Sequence, residues 1–143
     1  MAASAFEFFN GFKNELGKGN VPLDGTGVQF RIMLFTSAAG LTANTFSAIG
    51  SVPGSVTTGG VTFRDLTVNW SVRATTSTFA WSFATVIWTI AAASAATNMR
   101  YAVIYMQTAS TLICWSELST VEFTVAAGNN YVIEPNPIAF TLN

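Results

Sequence analysis

The chain contains no histidine, one cysteine and few charges of either sign. The missing histidine removes the commonest general base and the commonest metal ligand. Cys114 has no second thiol to pair with inside the chain. It lies in the strand-like run Leu112–Ile113–Cys114–Trp115 and reads as a small buried hydrophobe, since no imidazole exists to activate it. Six Lys and Arg stand against seven Asp and Glu, a formal net charge of −1. Charged residues make up 9 % of the chain, against about a quarter in typical soluble domains. The basic residues Lys13, Lys18, Arg31, Arg64, Arg73 and Arg100 are scattered, so nothing follows a phosphate backbone and no nucleic-acid partner is expected.

The same thinness applies to catalytic and ligand-binding patterns. Asp24, Asp65, Glu117, Glu122 and Glu134 are the carboxylates available to a glycosidase-type pair. The nearest two, Glu117 and Glu122, flank a turn. No loop holds the several carboxylates that a calcium site needs. Thr57-Thr58-Gly59-Gly60 lacks the Lys and the following helix of a phosphate-cradling loop. Gln107 and Asn129–Asn130 read as turn chemistry, with contacts to sugar hydroxyls as the alternative. No catalytic residue, metal or cofactor is therefore expected, and no enzyme. The longest apolar stretch, Phe79–Ala96, is interrupted by Ser82, Thr85, Thr89 and Ser94 and carries two Trp at strand spacing. A spanning helix needs about 20 predominantly apolar residues, so no membrane segment is expected. The N-terminus shows no basic region ahead of an apolar run, so no secretory signal is expected either.

What is present is apolar and strand-forming. At 143 residues, half of them hydrophobic, the chain reads as a single domain over 1–143 with a substantial core. Ser4-Ala5-Phe6-Glu7 has capping-box spacing. Phe6, Phe9, Phe12 and Leu16 follow at helical intervals, and Gly17 and Gly19 supply a stop. This predicts a helix over 4–17, too short to stand alone. Its stripe packs either on the chain's own sheets or on a neighbouring subunit. From Val28 the period becomes two, through Phe30, Ile32 and Leu34. Residues 37–60 form a long loop whose Leu41, Phe46, Ile49 and Val52 have no reason to stay in water; they lie back on the domain or grip another chain.

Short alternating segments follow. Val61–Phe63 and Leu66–Val72 alternate in opposite phase, which predicts a bulge or turn at Arg64–Asp65. A turn at 74–77 precedes Phe79, Trp81 and Phe83, and the phase changes again into Val86, Trp88 and Ile90. Ala91–Asn98 reads as a small-residue linker. Met99–Met106 has apolar residues without alternation, the mark of a strand covered on both faces. A turn at Gln107–Ser110, strands at Leu112–Leu118 and Val121–Val125, and a Gly/Asn turn at 127–130 come next. Tyr131, Ile133, Ile138, Phe140 and Leu142 complete the pattern, with Pro135 and Pro137 placing that piece at an edge or bulge. The fold class expected is mainly β, an antiparallel β-sandwich over 28–143 with one short N-terminal α-helix.

The order of these pieces resembles a family of small tailed-bacteriophage virion proteins. The matching pieces are the helix Phe6–Leu16, the link Gly17–Gly19, the Leu23–Asp24 turn, the strand Gln29–Thr36 and the Thr57–Thr62 loop end. The Trp-bearing strand Thr85–Ile90, the Ala91–Asn98 linker, the run Arg100-Tyr-Ala-Val-Ile-Tyr and the strand Leu112–Leu118 complete them. The chain departs from the pattern at Gln107, Thr108 and Thr111, where charges are usual, and at Ala74–Thr78, where an acidic loop is usual. The resemblance implies a virion structural protein. Small size and the charge deficit suited to a permanent interface narrow this to a capsid decoration, or cement, protein. It would bind the major capsid protein or other virion subunits and form a homotrimer on the capsid surface. A tail-fibre, baseplate or head-fibre module that binds a receptor or glycan is the alternative, and a tail or connector component a further one. The candidate interface residues are Phe6, Phe9, Phe12, Leu41, Phe46, Ile49 and Val52.

Overall fold

The computed structural model describes residues 5–42, 46, 48–58, 61–72, 78–134 and 138–141. The protein is an antiparallel β-sandwich with one short helix near its N-terminus. One layer is a five-stranded sheet in the order β1 (Glu7–Phe8), β9 (Thr111–Glu117), β8 (Tyr101–Met106), β2 (Phe30–Phe35), β3 (Phe63–Leu66). The other strands are β4 (Val68–Val72), β5 (Thr78–Phe83), β6 (Val86–Thr89), β7 (Thr97–Met99), β10 (Phe123–Val125), β11 (Asn130–Ile133) and β12 (Ile138–Thr141). They pair as β12-β5-β4, β11-β6 and β10-β7.

Strand β8 occupies the centre of the five-stranded sheet and is buried along its whole length, as its unbroken apolar run requires. On one face Phe30, Ile32 and Leu34 of β2 stand beside Met106, Ile104 and Ala102 of β8. This face meets the second layer, where the Phe30 and Trp81 rings pack edge to face at 5.4 Å. Trp81 is fully buried and its indole N–H donates to the Leu23 carbonyl at 2.9 Å. The expected phase change between β5 and β6 is present: Trp81 and Phe83 point inward, then Val86 and Trp88. The ladders β5–β12 and β6–β11 keep one register, Trp81 opposite Ile138 and Val86 opposite Ile133.

Three expectations need correction. The helix α1 spans Asn10–Gly17, not 4–17, and its N-cap Phe9 has no side-chain cap. Glu7 and Phe8 are extended and pair with Trp115 and Cys114. Ser4 lies outside the described residues. The ladder slips between Ile104 and Tyr105, so that Ile113 bulges from β9, and the Ile113 carbonyl accepts the Phe9 N–H at 3.1 Å. Pairing to the β9 edge and burying Phe9 together outweigh a solvent-exposed capping box. The phase break expected at Arg64–Asp65 is absent: Phe63 points outward, and alternation runs unbroken from Phe63 through Leu66 and Thr67 to Asn69. Arg64 and Asp65 pair regularly with Ile32 and Arg31, and the chain changes sheet between β3 and β4. The linker expected over 91–98 ends early, because Thr97–Met99 pair with β10.

The long loop lies back on the domain. It leaves β2 at Ser37, whose N–H donates to Glu122 at 2.7 Å. It reaches the far end of the sheet, where Ala48 bridges Thr111 and the Ile49 N–H meets the Ser110 carbonyl. It returns to bridge Ser55 with Phe35. Leu41, Val52 and Val56 are buried, and Phe46 and Ile49 pack against the same core. The turn expected at 74–77 and the edge or bulge expected at Pro135 and Pro137 lie outside the described residues.

Candidate interaction surface

The residues marked from sequence as an interface are taken up inside the fold. Phe9 is 0 % and Phe12 2 % exposed, and α1 packs on β9. Phe6 is half-buried, its ring edge-on to Phe83 at 5.8 Å. Leu41 and Val52 are buried, and Phe46 and Ile49 are half-buried against them. These side chains complete the chain's own core, so they do not form an exposed gripping patch.

Among the described residues the large exposed hydrophobics are Phe63, Ile87, Val121 and Val132. Two of them are partners. Ile87 on β6 stands directly opposite Val132 on β11, at 51 % and 45 % exposure. On the same ribbon Trp88 and Ile133 turn inward, so alternation forces Ile87 and Val132 outward. Thr89 and Asn130, the next pair on that outer face, are exposed and uncharged. At the ribbon's end lie exposed Ala91, Ala92 and Ala93, beside Ala126 and Ala127. Gly128 makes the turn with φ +81° and its N–H donates to the Ile90 carbonyl. The result is a face of β-branched and alanine side chains, with the exposed carboxylate of Glu134 at its other end, two residues beyond Val132.

Sequence reasoning missed this pair. Val86-Ile87-Trp88 puts apolar residues on both faces of a strand, which was a usable signal. Val132 between Tyr131 and Ile133 repeats it. What could not be read was that these two strands are partners in register.

The polar features are local. Arg31 donates through Nε to Asp65 at 2.7 Å, and its guanidinium stacks 3.8 Å over the Phe63 ring. Arg100 meets Glu117 at 2.6 Å. Burial pushes the Tyr105 phenol above its ordinary range, with Arg31 beside it acting the other way. A hollow of about 350 Å³ between the loop return and the β6–β7 connection is lined by Thr36, Ser55, Thr57, Ser94, Thr97 and Asn98, among others, with no charge. Among the described residues no group of three or more acidic or cysteine side chains gathers to hold a metal. Cys114 is fully buried, and desolvation pushes its thiol well above the usual range, so it is held as the neutral thiol. No protein-family model, curated protein or solved structure matches the chain. No helix among the described residues is long and apolar enough to cross a membrane.

Proposed function

We propose that this chain is a bacteriophage virion structural protein, and in sharper form a capsid decoration protein that binds the major capsid lattice as a homotrimer. The observation that carries the reading is the outer face of the β6–β11 ribbon, where Ile87 and Val132 are exposed side by side. A paired exposed apolar surface with a polar rim that includes Glu134 fits burial against another protein. The order of sequence motifs supports the virion class, and the 9 % charge content supports an assembled state.

Such a subunit works by linkage. It binds the assembled lattice and not its dissociated parts, so each copy adds its binding free energy to the assembled state. No bond is made or broken. A lattice carrying many copies resists heat and internal DNA pressure better than a bare one.

The test is a particle that lacks the protein. It is expected to assemble normally and to lose DNA at lower temperature or on osmotic shock. The protein's band in purified virions should approach the major capsid band in copy number. Few copies per particle, with loss of adsorption to cells when it is deleted, would instead identify a fibre or baseplate module.

A further inference from the structure

We propose that the open edge of β3 is a strand-addition site for an extended acidic segment of a different protein, with Arg64 as the residue that takes its carboxylate.

Strand β3 ends the five-stranded sheet: β2 covers one side, and among the described residues no strand covers the other. An edge strand presents alternate N–H and C=O groups outward, ready to pair with an incoming strand. A hollow of about 380 Å³ runs along this edge, lined by Val61, Thr62, Phe63, Arg64 and Asp65. Phe63 is 36 % exposed within it.

Arg64 carries the argument. Opposite residues in a ladder share a face, so Arg64, paired with Ile32, projects to the sandwich side of the sheet. Its Nε is buried and has no hydrogen-bond partner. Arg31 and Arg100 each hold a carboxylate, at 2.7 Å and 2.6 Å. Arg64 has none among the described residues. A buried N–H of a charged group left without an acceptor is costly. A carboxylate arriving from outside would supply that acceptor and the missing counter-charge together.

The occupant is not a second copy of β3. Strands paired about a two-fold axis must place residues of the same face opposite each other. The two such registers nearest the centre of β3 set Arg64 against Arg64 of the second strand, or Asp65 against Asp65. Like charges directly opposite destabilise a pair. A foreign segment with alternating apolar residues and one carboxylate meets Phe63 and Arg64 without that conflict. This inference concerns peptide binding and stands whether or not the protein decorates a capsid.

Random short peptides displayed on a carrier would be selected in parallel against the full chain and against Arg64→Gln. Enriched sequences are expected to share one Asp or Glu among alternating β-branched or aromatic residues. An enriched peptide, made synthetically, should bind roughly tenfold or more weakly to Arg64→Gln, or when its acid is replaced by the amide. Binding should weaken with salt and slow hydrogen exchange at the amides of Val61–Leu66. If Arg64→Gln does not fold, the acid-to-amide change in the peptide, measured on the native chain and on Arg64→Lys, gives the same reading. Acid-free enriched peptides, equal affinity for both proteins, protection elsewhere, or pairing of β3 with itself would each overturn the proposal. So would a set with no enriched peptide and an Arg64→Gln variant that aggregates, because Arg64 would then be only a guard on a sheet edge.

Discussion

Phe9 sits at the junction of β1 and α1, its side chain fully buried and its amide bound to the Ile113 carbonyl. Truncation to Ala removes a large core group and leaves a cavity. Phe9→Ala should therefore lose about 3–5 kcal/mol of unfolding free energy in a urea titration. Particles should still take up the fraction that remains folded, since the ring is not on the surface. Cys114 makes a second residue-scale prediction. Its thiol is raised by burial alone, so the folded state keeps the proton that the unfolded chain releases above the ordinary thiol range. Stability is then fully present below that range and falls as pH climbs from it toward the higher folded value, by at most about 1.4 kcal/mol per pH unit from this group. Tyr105 and Tyr131 are raised as well and act in the same direction at still higher pH. Cys114→Ala should flatten the first part of the decline, read as melting temperature against pH. A thiol reagent should label Cys114 only as fast as the protein unfolds. At this scale the sequence already marked Phe9 as apolar stripe and Cys114 as hydrophobe, because residue type and spacing set both.

The loop from Ser37 and the β6–β11 ribbon are the elements where sequence and structure part. Both carry apolar residues with no obvious destination in the primary structure. The loop is fixed by backbone contacts at both ends of the five-stranded sheet, which turns Leu41 and Val52 into core. Leu41→Ala should cost about 2–5 kcal/mol in denaturant unfolding. On the ribbon the outcome reverses. Ile87→Ser and Val132→Thr change exposed positions, so stability should stay within about 0.5 kcal/mol of the parent, while uptake by particles lacking the protein should fall. Unchanged uptake by both variants would remove the ribbon from the interface. Periodicity identified both strands of the ribbon, but not their pairing. The choice of partner strand is a long-range contact, and nothing local encodes it.

For the molecule as a whole, 9 % charged residues leave an outer surface made largely of hydroxyl, amide and alanine groups. Such a surface gains by self-burial more than a charged one does. Light scattering at micromolar concentration should therefore report a homo-oligomer, a trimer on the present reading, rather than a single 15.2 kDa chain. A clean monomer would remove self-assembly in solution and leave open assembly on a particle. The two-layer architecture itself was readable, since frequent turns and alternating strands admit few other arrangements.

The sequence by itself determined the strand content, the doubly covered central strand, the buried thiol and the shortage of charge. Each of these follows from composition or from a period of two over a few residues. Only the tertiary structure decided where the apolar stripes go. It drew Glu7 and Phe8 out of the expected helix and onto β9, folded the long loop over the sheet, and left Ile87 and Val132 facing water. It also left Arg64 on an edge strand, its Nε without a hydrogen-bond partner among the described residues. Those outcomes depend on which strands meet and in what register, and that is set by burying the most apolar surface across the whole chain at once.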